Sequence, residues 1–458
     1  MTTAKQIQPG SEELKKLLKI AIPLSMYYLT EVAMGITDVV IVGRLGSTEL
    51  GAVGLTAGLV VEAMLICFGL LSVVGVISSQ ALGAKKPKEV ANTVGQGFWL
   101  AMTLAVVVLI LSIWVTDLLV ATGQDPQVVK FAGDYLAWFI WTAPFSLAFV
   151  VLRNFLTVLS LASVVVYITV PSLFLNLLLN YALVFGAWGF PEMGVAGAGL
   201  ASVIVTIVML TGVVFYVALK SQCREYRLLQ AISRLDFSIW RSIFKLGIPV
   251  GVTTLLEGGL FVVVGILMGT MGAQWLAANE ILFHMMPLAF VMALAIGESA
   301  AVRIAFHIGA GNLGMVGWIA RTALIFGSMV MLSSSFILWF FPELIAALFI
   351  DSSNPDNAKV IEIVVALSSI AAIFQLFDGL QVVTLWCLRG LKDTLVPMWI
   401  ASAGYWICGL GSGYWFGFVQ GYGASGVWWG LAIGLMMTGI LLFIRLQIML
   451  RTRVGQQA

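Results

Sequence analysis

Seven carboxylates interrupt runs that are otherwise apolar: Glu31, Asp38, Glu62, Glu257, Glu280, Glu298 and Asp378. No Lys or Arg is expected at the middle of those runs to neutralise them. A charge at the centre of a membrane helix costs about 2.5–3.5 kcal/mol on insertion scales, so it is found with a partner, a water-filled cavity or a task. Seven such groups against hydrocarbon would cost on the order of 20 kcal/mol, more than a typical domain's whole stability. They are therefore expected to face inward, where burial disfavours the charged form and some carry a proton. An interior lined by acids attracts cations, and its chemistry is reversible cation binding.

The spacing of the polar residues groups them. Glu31 and Asp38, seven apart, share one helix face. Asn176 and Asn180, at i and i+4, share another. Gln375, Asp378 and Gln381 recur every third position on a common polar face. Glu257 stands in the middle of the apolar stretch Lys245 to Gly272, with Phe261 one turn away to offer a ring face to a cationic ligand. In a chain with 27 phenylalanines, ordinary packing is the competing reading. His284 follows Glu280 by four residues and is placed to extend a proton relay. A lone histidine is more often a satisfied interior group. Met285 and Met286 suit an adaptable pocket. Trp386, near Asp378, is a candidate to line it, although most of the 15 tryptophans are expected as interfacial anchors. Each acid also has a plain alternative, a hydrogen bond to a neighbouring helix. Glu298, near a helix end, and Glu62, with no evident partner, stand closest to it.

The elements that must position these residues follow from composition. The chain has 458 residues, 60% hydrophobic and 10% charged. Twelve apolar runs of about 20 residues are centred near 30, 64, 105, 142, 172, 206, 256, 290, 328, 375, 405 and 437. Helices that satisfy their own backbone are the natural answer, which makes the chain an all-α polytopic membrane protein. Pro144 marks an expected bend in the fourth run. With twelve spans both termini share one side, and of the 24 basic residues all but Arg44, Lys130 and Lys359 fall there. That side is expected to be cytoplasmic. The formal net charge of +2 hides this polarity, so the basic loops read as topology signals and not as nucleic-acid patches. Cys67, Cys223, Cys387 and Cys408 are scattered without a CxxC pair, which implies neither disulfide nor structural metal.

The runs repeat. At an offset of 226, Lys19, Ile22, Pro23, Leu29, Glu31, Gly43, Gly46 and Ala52 fall on Lys245, Ile248, Pro249, Leu255, Glu257, Gly269, Gly272 and Ala278. Because six spans lie in each half, the repeats are parallel, as expected of a two-lobed carrier with its site at the lobe interface. The expected division is 1–13, a mobile cytoplasmic lead; 14–219, a first six-helix lobe; 220–241, a linker; 242–450, a second six-helix lobe; and 451–458, a cytoplasmic tail. The linker, KSQCREYRLLQAISRLDFSIWR, is expected to form an amphipathic surface helix with Tyr226, Leu228, Leu229 and Ile232 as its apolar contacts.

These segments resemble the multidrug and toxic compound extrusion (MATE) family, in its NorM-like bacterial branch. The resemblance rests on the IP start of the first and seventh spans, TDVVIVGRLG with Asp38, SQALGAKKPKEV, NLLLNYALVFG, FPEMGVAGAGLA, LGIPVGVTTLLE and FDGLQVVTLWCLRGLKDT. It covers nearly the whole chain, with the motifs in order. It implies a twelve-helix antiporter in a bacterial inner membrane that expels amphipathic, often cationic compounds in exchange for H+ or Na+. No other cofactor, no nucleic-acid partner and a monomeric state go with it. By that similarity Asp38, Asn176 and Asn180 form a first-lobe cation site, and Glu257 and Asp378 are second-lobe acids for cation or substrate. Glu31 belongs with the cation set, and Phe261, Glu280 and His284 with the substrate set. The chain carries Asn279-Glu280 and Glu31 where related sequences often have His-Gln and Gln. A lipid-linked sugar flippase of the same superfamily is the alternative, although it needs intramembrane cations for its pyrophosphate. A channel is a further rival, while the absence of HExxH, GxSxG and phosphate-loop motifs argues against an enzyme.

Overall fold

The computed structural model describes residues 9–233, 235–350 and 357–455, and among these every regular element is helical. Residues 1–8 of the lead, Arg234 of the linker and 456–458 of the tail lie outside the described residues. The first half runs α1 (Pro9–Val42), α2 (Ser47–Gly83), α3 (Pro87–Ser112), a two-part α4 (Pro126–Phe139 and Thr142–Val158), α5 (Ala162–Phe185) and α6 (Val195–Leu219). The second half runs α7 (Phe237–Met271), α8 (Ala273–Gly309), α9 (Leu313–Phe340), α10 (Ala358–Gly390), α11 (Leu395–Ser402, continuing through 403–419) and α12 (Gly423–Gly455). Ten described helices are each long and apolar enough to cross a membrane, and α4 makes an eleventh span, bent by 44°. Its break falls at Ile140–Trp141, just before the expected Pro144, which sits in the first turn of the second segment where its missing N–H is no loss. The twelfth span is α11, whose middle winds in π turns.

The chain divides into two compact units: Met26–Gly251, here the N-unit, and Met1–Ser25 with Val252–Ala458, the C-unit. Relative to the halves drawn from the sequence, the N-terminal half of α1 (9–25) and that of α7 (237–251) are each allotted to the opposite unit. Two expectations change here. Residues 9–13 are helix and not a mobile lead, and Glu13 is only 5% exposed. Its carboxylate accepts from Arg303 Nε at 3.0 Å and Nη2 at 2.8 Å, and His307 Nε2 lies 3.1 Å away. Such a forked, charge-assisted pair is among the stronger polar contacts. The linker forms two short helices, Ser221–Arg224 and Leu228–Ile232, in place of one, because Arg227 takes a left-handed φ of 47° between them. Tyr226 and Leu228 pack inward as expected, whereas Leu229 is 86% exposed.

Small residues set the closest approach in the C-unit. Gly404, Gly409, Gly413 and Gly417 of α11 face Gly426, Gly430 and Gly434 of α12, and a methyl group at Gly426 would sit 2.6 Å from the backbone of Phe416. The step of five from Gly404 to Gly409 stays on one face because that turn is π-wound. Backbones packed this tightly fix α11, which supplies Tyr405, against its neighbours.

Candidate acid sites in the two units

In the N-unit the site is built around Asp38 near the C-terminal end of α1. Asn176, 2% exposed, and Asn180, fully buried, lie one turn apart on α5 and reach it together. Asn176 Nδ2 donates to Asp38 Oδ1 at 3.1 Å, and Asn180 Nδ2 donates to the same oxygen at 2.8 Å and to the Asn176 carbonyl at 3.0 Å. Ser202 of α6 lies 3.4 Å from Asp38 Oδ2 and 3.1 Å from the Ala198 carbonyl, so its one proton chooses between them. Ser202 arrives because α6 opens on small residues. A Cβ at Gly197 would stand 2.5 Å from the Leu183 carbonyl oxygen, and one at Gly199 would stand 2.7 Å from that of Tyr135. Tyr135 itself is buried within electrostatic reach of Asp38. The side-chain oxygens of Asn176 and Asn180 remain buried without a hydrogen-bond partner.

Glu31, on the same helix, answers to a different charge. The cation it meets is Arg153, near the C-terminal end of α4 and only 4% exposed. Its guanidinium donates to the Tyr28 hydroxyl at 2.9 Å and to Asn154 Oδ1 at 3.0 Å, lies over the rings of Tyr27 and Tyr28, and exerts its field on Glu31. The polar partners and the two ring faces repay part of the desolvation that burying Arg153 costs.

In the C-unit Asp378 of α10 is buried and within electrostatic reach of Glu257 of α7. Tyr405 of α11 feels both acids and accepts a hydrogen bond from Gln381 Nε2. Gln375, on the same face of α10, donates to the Met286 carbonyl at 3.3 Å. Phe261 joins an aromatic group here, with its ring 5.3 Å from Phe283, which lies 5.5 Å from Trp428. Buried polar atoms are left over: both amide atoms of Asn279, Oε1 of Gln375 and of Gln381, and Nε1 of Trp428 have no hydrogen-bond partner. Orphaned buried groups cost free energy unless water, an ion or a ligand meets them.

The MatE family model matches this chain twice, over residues 23–182 and 249–415. The two matches open on Pro23 and Pro249, at the offset of 226 that the repeat shows. The chain belongs to the MatE family. It is 35% identical to the probable multidrug resistance protein NorM of Pseudomonas aeruginosa, over 94% of this chain and 88% of that protein. The corresponding protein of Burkholderia mallei is 36% identical over 93% and 90%. Among solved structures the fold matches the eukaryotic MATE transporter AtDTX14 with a TM-score of 0.85 at 20% identity, over 97% and 98% of the two chains. It also matches a MATE protein crystallised in a bent conformation, with a TM-score of 0.86 at 17% identity, over 98% and 99%.

Glu280 and His284 are exposed on α8, and the His284 ring lies 6.3 Å from Phe349. Met285 is partly buried among the apolar side chains, and Met286 serves through its backbone carbonyl. Trp386 does not line the acid site: it stacks under the Arg389 guanidinium at 4.4 Å and covers Gly297. Glu298 is buried, and Glu62 is partly buried with an unpartnered Oε1. Ser202, Tyr135, Tyr405 and Arg153 escape the sequence reading. Hydroxyls and single cations carry no periodic signal, and only packing brings them to the acids.

Proposed function

We propose that this MatE protein is a cation-coupled antiporter that exports amphipathic, often cationic compounds by alternating access, with H+ as the coupling ion. The observation that carries the reading is the Asp38 cluster, a carboxylate met by three donors from two other helices. The NorM relatives, named as multidrug resistance proteins, support the substrate class. Protonation would turn one Asp38 oxygen from acceptor into donor. Ser202 can follow, because it can turn its own proton to the Ala198 carbonyl and accept from the acid. The relation of Asp38 to Asn176 and Asn180 would then loosen, since a neutral acid is a weaker acceptor. Glu31, on the same helix, meets the charge of Arg153.

Na+ is the second reading, favoured by the orphaned oxygens of Asn176 and Asn180 beside Asp38, which are ligands of the hard kind that Na+ takes. Glu257 and Asp378 with the aromatic group around Phe261 would hold the organic cation or a second coupling ion. No cofactor beyond the ion is invoked. The protein would work as a monomer in a bacterial inner membrane with both termini cytoplasmic. A lipid-linked sugar flippase fits less well, since the buried cations Arg153 and Arg303 are already engaged by Tyr28, Asn154 and Glu13. Proteoliposomes with the two gradients imposed separately test the ion. Efflux of a cationic dye driven by a pH gradient in sodium-free buffer is expected, and efflux on a Na+ gradient alone, with the pH gradient collapsed, would overturn the proton assignment.

A further inference from the structure

At one end of the N-unit, α5 and α6 part to leave a groove of about 400 Å³. Its walls include Tyr167, Ile168, Phe215 and Leu219, its floor passes Gly212, and its mouth ends at Lys220. Tyr167 is 77% exposed and Phe215 65%, so these large rings stand open to the surroundings and not against protein. Gly212 makes the groove possible, because its missing side chain leaves the floor to Ile168, whose atoms lie 3.2–3.5 Å from where a Cβ would be. From Gly212 to Lys220 the helix rises about 12 Å. That is close to the roughly 15 Å depth of hydrocarbon in one leaflet.

We propose that this groove is a binding site for an anionic phospholipid, with an acyl chain laid between α5 and α6 and the phosphate held at Lys220. Charge complementarity selects the anionic head group. Where the chain leaves α6 it presents Lys220, Arg224 and Arg227 against the single acid Glu225, and the two arginines are exposed. A lysine at a helix end lets its apolar stem lie along the groove while the ammonium reaches the head-group level. Tyr167 and Tyr216, both on the lining, are the amphipathic rings that settle at that depth. Basic pockets between membrane helices bind phospholipid head groups by this combination of an apolar slot and a cationic rim. The site lies within one unit and involves neither acid cluster, so it stands independently of the coupling ion.

Native mass spectrometry of the full chain, taken from nanodiscs of equimolar phosphatidylglycerol and phosphatidylcholine, tests it. The wild type should retain phosphatidylglycerol over phosphatidylcholine by about five-fold, which corresponds to about 1 kcal/mol for one basic contact. Lys220→Gln should remove most of that preference, and Gly212→Phe, which fills the floor, should lower the retained lipid of both kinds. Lys220 is exposed on the rim, so its substitution leaves folding intact and keeps the test decisive if Gly212→Phe misfolds. Equal retention of the two lipids by the wild type, or a preference unchanged in Lys220→Gln, would overturn the site.

Discussion

In the proposed mechanism Asp38 and Glu257 would do comparable work in different surroundings. Asp38 sits among neutral donors, with Ser202 able to switch partner, whereas Glu257 lies near a second acid, Asp378, and within reach of Tyr405. Both environments respond to loss of the negative charge more than to loss of volume. Asp38→Asn, Glu257→Gln and Asp378→Asn are each expected to reduce gradient-driven efflux to the background of cells without the protein while expression stays near wild type. Dye-efflux rates in cells matched for protein level measure this, and wild-type rates in any of the three would remove that residue from the mechanism.

At the scale of the element, the first turn of α1 is held to α8 by Glu13, Arg303 and His307, all buried. Ser299 of α8 adds a hydrogen bond at 2.8 Å to the Leu17 carbonyl. Removing one member of a buried ion pair leaves the other charge uncompensated, at a cost of about 3–5 kcal/mol. Glu13→Ala should therefore lower the melting temperature of the detergent-solubilised protein markedly. The double variant Glu13→Ala with Arg303→Met should recover part of the loss, since the stranded charge is gone. If Glu13→Ala melts with the wild type, the Glu13–Arg303 pair contributes nothing to stability.

On the scale of the whole molecule the repeat preserves shape more than charge. Glu31 and Glu257 correspond at the offset of 226, but the position matching Asp38 is Val264, which is fully buried. In α4 and α10, whose C-caps Leu159 and Leu391 lie 232 apart, the position matching Asp378 is Ser146. Asp38 and Asp378 therefore have no acid at the matching position of the other half. The proposed orientation predicts that a single cysteine placed at Ser221 is protected from a membrane-impermeant maleimide in intact cells, while one at Gln124 is labelled. The reverse pattern would invert the topology.

Local sequence alone determined that the chain crosses a membrane twelve times and repeats itself, because apolar length and spacing register directly in composition and period. It also singled out Asp38 and, separately, the pair Asn176 and Asn180, since an acid in an apolar run and an i, i+4 amide pair stand out against hydrocarbon, while joining the three into one set took the family resemblance. The tertiary structure decided the rest. Arg153, Arg303 and Glu13 read as loop or tail residues because each lies near the end of its apolar run, and only helix packing shows that they are buried and paired. Ser202 and Tyr405 likewise acquire their roles from glycines that let α6 and α11 approach their neighbours, a distance that no periodicity in the chain encodes.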